Sequence, residues 1–211
     1  MDLYTTDGIL LYSSNKKSLQ ETIEDAIQGG VILDGVDLQN KDLRNINLDN
    51  AIMRGACFRN TDLTGGNLSE AIMDRANFTH ALLYNTCIAH SSLKQCLFTE
   101  SQFGATDLSE SVIDRCTFSG PTTFSLSFRN VKSMKHTKFM VDNKIYPMQK
   151  PPLHIKGGEN EICIMDDHIL IQNTIYHQRG LENYRSLPSI QNDYITLYNK
   201  LLTLSQKRKI S

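Results

Sequence analysis

From Val31 to Asn130 the chain repeats itself every five residues. Cut into twenty blocks of five, it has Leu, Met, Phe or Ile at the third position in nineteen, and the exception is Thr123. The first position is mostly Ala, Gly, Ser, Thr, Cys or Val. A period of five matches neither the 3.6-residue turn of an α-helix nor the two-residue alternation of a strand. It asks for a backbone that bends at regular intervals, with third and first positions turned towards a shared core.

Blocks such as KDLRN, INLDN, TDLTG, GNLSE, ANFTH and TDLSE resemble the A-(D/N)-L-X-X consensus of pentapeptide-repeat proteins. The resemblance implies a mainly β fold, a right-handed quadrilateral β-helix. In that solenoid each pentapeptide forms one side, four form a coil, and second, fourth and fifth positions face outward.

A twenty-residue coil stacks residues twenty apart. Leu38, Phe58, Phe78, Phe98 and Phe118 then form one inner column. Leu33, Met53, Met73, Leu93 and Ile113 form a second. Outside the second column, fourth positions read Asp34, Arg54, Asp74, Lys94 and Asp114, which predicts an exposed ladder of opposite charges. Second positions on the same side read Ile32, Ile52, Ile72, Ser92 and Val112, where other sides carry Asp37, Asp42, Asn47, Asp62, Asn67, Asn77 and Asp107. A β-branched stripe facing outward marks a contact. Ile32, Ile52, Ile72 and Val112 are therefore the candidate interaction residues. Their occupant is the chain's own C-terminal segment, a second copy in a homodimer, or another protein. After Ser119 the register falters at Pro121 and Thr123, and Met134 and Phe139 sit one residue out of phase, as a degenerate last turn.

Three parts follow: residues 1–30, 31–140 and 141–211. In the first, Leu3 to Ser13 reads as a hairpin around the two-residue turn signal Asp7-Gly8. A helix from Lys17 to Gln28 follows, with Ser18 and Glu21 as a capping box, Leu19, Ile23 and Ile27 as its apolar face, and Gly29-Gly30 as its stop. Such a helix caps the open end of a repeat core. In the last part, Lys138 to Ile145 reads as a hairpin around Asp142-Asn143, and Pro147, Pro151 and Pro152 as a linker. LHIK, EICIM and HILIQ read as a three-stranded meander with turns at Gly157-Gly158 and Asp166-Asp167. Helices are expected at 180–186 and 189–206, the second with the stripe Ile190, Tyr194, Leu197, Leu201 and Leu204. This layout resembles a group of bacterial and phage pentapeptide-repeat proteins. In that group a Cys-x-x-His follows the last strand, whereas the segment from Asn173 to His177 keeps only the His.

Charge offers no global field: 22 basic side chains face 23 acidic ones. The repeats net −3 and residues 131–211 net +5. Five cysteines at irregular spacings do not form a disulfide framework and suit a reducing cytoplasm. Cys96 and Cys116 fall at first positions as small core fillers. No signal peptide or membrane span is legible. No phosphate loop, His-Glu-x-x-His or Cys-x-x-Cys occurs, so neither an enzyme nor a cofactor nor a metal site is expected. Asp166-Asp167-His168 reads as a turn rather than a metal ligand set, and His80, His90 and Tyr84 as surface decoration. The expected function is a non-catalytic interaction or scaffold protein, binding another protein or itself and not nucleic acid directly. The alternative, implied by quinolone-resistance members of the family, is a DNA-mimic inhibitor of a type II topoisomerase such as gyrase.

Overall fold

Asn and Gly crowd the fifth position of the repeats, and the backbone explains it. In the computed structural model, all eighteen fifth positions from Gly35 to Gly120 have positive φ, between 52° and 100°. Only Gly adopts this left-handed region freely, and Asn tolerates it better than most. Each such residue turns a corner, so the chain changes direction every five residues. The structure describes residues 1–120, 122–123, 126–128, 130–141, 144–157, 160–165, 168–171 and 174–177.

The corners fold the repeats into a β-helix-like stack. Parallel bridges join residues twenty apart at four places in each twenty residues: Asp37 to Cys57, Asp42 to Asp62, Asn47 to Asn67 and Ile52 to Ile72. Each bridge uses the same backbone logic. The N–H of Cys57 reaches the carbonyl of Val36 at 2.9 Å, and the N–H of Leu38 reaches the carbonyl of Cys57 at 2.9 Å. The third positions are all buried, Thr123 included. Phe58, Phe78, Phe98 and Phe118 stack with ring centroids 4.8 to 4.9 Å apart and planes within 7°, the inter-strand spacing of a β-sheet.

Polar first positions are satisfied by a rule of their own. Thr61 Oγ1 donates to the Leu38 carbonyl at 2.7 Å, Ser101 Oγ to Phe78 at 2.7 Å and Thr106 Oγ1 to Leu83 at 2.6 Å. Cys96 and Cys116 obey it too, their thiols donating to the Met73 and Leu93 carbonyls. Each acceptor lies twenty-three residues back, on the coil below. Buried hydroxyls and thiols therefore keep a partner inside the core.

Before the stack, β1 (Asp2–Tyr4) and β2 (Leu10–Ser13) form an antiparallel hairpin. Its turn is longer than the two residues expected. Gly8 N–H closes a β-turn on the Thr5 carbonyl, and Gly8 itself has φ 80°. This is the three-residue hairpin with a glycine bulge. Tyr4 then accepts the Asp37 N–H, and Thr5 bridges Val36, so the hairpin covers one edge of the first coil.

Helix α1 (Leu19–Gln28) is capped by Ser18, whose side chain accepts the Glu21 N–H. Glu21 returns to the Lys17 N–H. At the other end, Gly30 donates to Ile27 and Val31 to Ala26, a Schellman motif with Gly30 in the left-handed region. Its buried residues are Thr22, Ile23 and Ala26, whereas Leu19 and Ile27 are half-buried. The inward face is thus rotated from the predicted one. Hydrogen bonds to the first coil set that rotation: Glu24 accepts the Asn47 N–H and Gln20 donates to the Arg44 carbonyl.

Bridges extend into short strands at β3 (Leu82–Tyr84), β4 (Leu97–Phe98), β5 (Gln102–Gly104) and β6 (Thr117–Ser119). Strand β7 (Thr137–Val141) continues the stack in parallel with β6, Phe118 facing Phe139. That offset is twenty-one, as is Val112 to Ser133, so the last turn carries the expected extra residue. Lys132 and Ser133 both direct their N–H groups to the Ser111 carbonyl, in the manner of a β-bulge. Strand β8 (Lys144–Met148) pairs antiparallel with β7 and is the edge of that sheet. Pro147, expected in a linker, lies inside it, where an edge strand tolerates the missing N–H.

The chain divides into two units, Met1–Gln149 and Lys150–Ser211. In the second, β9 (Leu153–Gly157), β10 (Asn160–Ile164), β11 (His168–Ile171) and β12 (Thr174–His177) form an antiparallel meander. It has four strands where three were expected. Its last strand is the run ending at His177, which pairs with His168. The turn at Asp142-Asn143, most of those at Gly157-Gly158 and Asp166-Asp167, and the helices at 180–186 and 189–206 lie outside the described residues.

Candidate interaction surface

The four predicted contact residues share one side of the stack. Ile52 bridges Ile72, Ile72 bridges Ser92, and Ser92 bridges Val112. Ile52 and Ile72 stack on adjacent coils and are half-buried, as is Val112, which stacks on Ser92. Ile32 begins the column and is 53% exposed. Ser92 interrupts the apolar run, so the continuous part is Ile32, Ile52 and Ile72. A further outward apolar residue escaped the sequence reading: Leu97, at a second position on the next side, is exposed.

Beside the stripe, the charged column differs from the predicted ladder. Each of its carboxylates turns to the backbone of the following coil. Asp34 accepts the Arg54 N–H at 2.7 Å, Asp74 the Lys94 N–H at 3.0 Å and Asp114 the Lys135 N–H at 2.8 Å. Ser92 and Ser133 hydroxyls add bonds of 2.6 Å to Asp74 and Asp114. Of the predicted ion pairs, only Arg54 with Asp34 forms, at 3.3 Å. The correction has a simple cause. An Asp side chain is short enough to reach the amide one coil away, and that amide is fixed, whereas a Lys ammonium is mobile and well hydrated.

Apart from Arg54, the cations are therefore left over. Arg54, Lys94 and Lys135 at fourth positions, with Arg75, Arg115 and His136 at corners, line a cleft of about 620 Å³ with Asp74, Asp114 and Gln95. Arg75 donates to Gln95 at 3.2 Å. Among the described residues, neither Arg75, Lys94, Arg115 nor Lys135 has an ion-pair partner within 4.0 Å. Sequence reading missed this cleft because it treated the column as neutralised internally. Its signal was present in the fifth positions Arg75, Arg115 and His136.

The neighbouring side, of blocks starting at Ile46, Gly66, Thr86 and Thr106, carries Asp49, Glu70, Asp107 and Glu110 and no Lys or Arg. Tyr84 proves structural: its hydroxyl donates to Gln102, and its ring lies where a Cβ at Gly104 would come within 2.8 Å. Burial pushes the Cys96 thiol well up from its usual range, with Cys116 beside it adding to the effect. Among the described residues, no group of three or more His, Cys, Asp or Glu gathers in metal-binding geometry, and no helix is long and apolar enough to cross a membrane.

Residues 31–65 and 67–99 match the family model of pentapeptide repeats, in eight copies. This stretch is a run of pentapeptide repeats. No curated protein matches this chain. It is similar in structure to a pentapeptide repeat protein from the Arabidopsis thaliana thylakoid lumen, at 23% identity over 38% of this chain, with a TM-score of 0.25. It is similar to HetL, a pentapeptide repeat protein involved in heterocyst differentiation regulation from the cyanobacterium Nostoc, at 17% over 46%, TM-score 0.35. It is also similar to QnrB1, a plasmid-mediated fluoroquinolone resistance protein, at 18% over 49%, TM-score 0.35. The matches span 63%, 41% and 57% of those three chains, less than two thirds of each.

Proposed function

We propose that this chain is a non-catalytic interaction or scaffold protein whose stack of coils is a right-handed, four-sided solenoid. Its contact face is the stripe Ile32, Ile52, Ile72 and Val112, and its occupant is another protein or a second copy of the chain. The observation that supports this is the column itself. Where other sides present Asp and Asn to water, this one aligns β-branched side chains coil on coil, ending on an exposed Ile32. A flat apolar strip of this kind gains from being covered, at about 25 cal/mol per Å² removed from water. Light scattering across a concentration series tests it, with Ile52→Glu and Ile72→Glu introduced together. A second copy on the stripe gives a dimer that the double variant abolishes. Another protein gives a monomer whose partner capture from its host is lost in that variant. A monomer whose captured proteins are unchanged by the substitutions overturns the reading.

The acidic side with Asp49, Glu70, Asp107 and Glu110 favours one other reading, a DNA-mimic inhibitor of a type II topoisomerase. A gyrase supercoiling assay separates them. Inhibition that disappears on Glu70→Lys and Glu110→Lys supports the mimic, and unchanged supercoiling rejects it.

A further inference from the structure

We propose that the cleft beside the stripe is a docking site for an acidic segment of a partner protein. The proposal rests on the interaction-protein reading and gives the partner a chemistry.

The argument starts from the stacking. Each coil from the second to the sixth places one cation along the cleft, at alternating positions: Arg54, Arg75, Lys94, Arg115, Lys135. The coils rise by about the 4.8 Å that separates the stacked Phe rings, so positive charge recurs at every step along the axis. The acids that could neutralise it are otherwise engaged. Asp74 and Asp114 each hold a backbone N–H and a Ser hydroxyl through one oxygen. Arg54 pairs with Asp34 at 3.3 Å, and the other four cations against two carboxylates leave a net positive strip with unpaired side chains at its rim.

An Asp- or Glu-rich segment in extended form meets these requirements. Its carboxylates repeat along a line, and Arg pairs with carboxylate in two-point geometry. Single-stranded nucleic acid is served less well, because stacking successive bases needs a row of aromatic rings, and of the residues lining the cleft His136 alone supplies one. A duplex buries far more surface than this strip provides. The chain's own end is no substitute. Residues 178–211 carry Arg179, Arg185, Lys200, Lys207, Arg208 and Lys209 against only Glu182 and Asp193, so their charge matches that of the cleft.

Fluorescence anisotropy on the full chain tests the proposal, using a labelled peptide of alternating Glu and Ser and a labelled oligothymidine. Reversal of Arg75→Glu with Arg115→Glu is expected to weaken peptide binding by about tenfold or more. These positions accept Glu, since Glu70, Glu100 and Glu110 occupy the same left-handed corners. A second pair, Lys94→Glu with Lys135→Glu, serves if the first melts early, and the same loss is expected. Failure of the parent to bind the peptide, affinity unmoved by both reversals, or tighter binding of the oligothymidine overturns the proposal. Such a failure leaves the stripe reading standing, because that reading is decided by the isoleucine variants alone.

Discussion

The carboxylate of Asp74 accepts the backbone N–H of Lys94, one coil on, at 3.0 Å, while the Lys94 ammonium lies beyond ion-pair distance of it. Opposite charges sit at adjacent steps of one column, yet the bond between them runs to the main chain. The same bond joins Asp34 to Arg54 and Asp114 to Lys135. Acids in this column act as caps on the amides of the next coil, and among the described residues Lys94 and Lys135 are left without an ion-pair partner.

Asp74 and Lys94 should therefore be unequal in stability. Asp74→Ala removes a charge-assisted bond to a fixed amide and is expected to cost about 1–2 kcal/mol. Lys94→Ala removes no described partner and should stay within about 0.5 kcal/mol. Urea denaturation of the two variants measures both. Equal losses would restore the ion-pair ladder.

Ala105 is the weakest corner. It holds φ 52° with neither the freedom of Gly nor the polar side chain of Asn. Ala105→Gly should stabilise the protein by about 0.5–1 kcal/mol, the left-handed penalty less the entropy Gly gains when unfolded. Gly55→Ala should do the reverse. A Cβ there would meet nothing within 4 Å, so its loss would be conformational alone. Thermal melting checks the pair, and a destabilised Ala105→Gly would reject the argument.

What could be read without coordinates was whatever stacking alone decides. The apolar third positions and a period of twenty place Phe58 on Phe78 and Ile52 on Ile72, and both pairs stand in the structure. Phe139, seen to be one residue out of phase, regains the Phe column through its extra residue. What escaped depends on reach and orientation. The alternating signs of Asp74 and Lys94 were legible, but which atom of each faces the other was not. The corner role of fifth positions was diluted because Arg75, Gln95, Glu100 and Ala105 share it with Asn and Gly. The rotation of α1 followed from Glu24 and Gln20 finding the first coil, which periodicity within the helix cannot reveal.

Cys96 makes the fold sensitive to alkali. Burial raises its thiol above the 9.0 of an unfolded chain, so above that pH the unfolded state gives up a proton that the folded state retains. The stability linked to this thiol is whole below pH 9.0 and declines as the pH climbs beyond it. Cys96→Ala, which places the commonest first-position residue there, should lose less stability than the parent between pH values on either side of 9.0. Denaturation midpoints measure this, and parallel losses in the two proteins would exclude Cys96 as the cause.

Asp25 works in the opposite sense at the acid end. The Tyr12 hydroxyl donates to it at 2.6 Å, Lys16 pairs with it at 3.2 Å and Ser14 donates at 3.0 Å. These partners, Tyr12 foremost, hold its carboxyl below the usual 3.8. A depressed carboxyl stabilises the folded state above the unfolded value, and that stability is lost as the pH falls through the lower folded one. Because Asp25 ties the hairpin to α1, the cap over the first coil should loosen over that window. Asp25→Asn should flatten the fall in melting temperature below pH 3.8, and Tyr12→Phe should flatten it in part. Melts on both sides of that pH decide the matter. A fall as steep in Asp25→Asn as in the parent would place the acid-sensitive contact elsewhere.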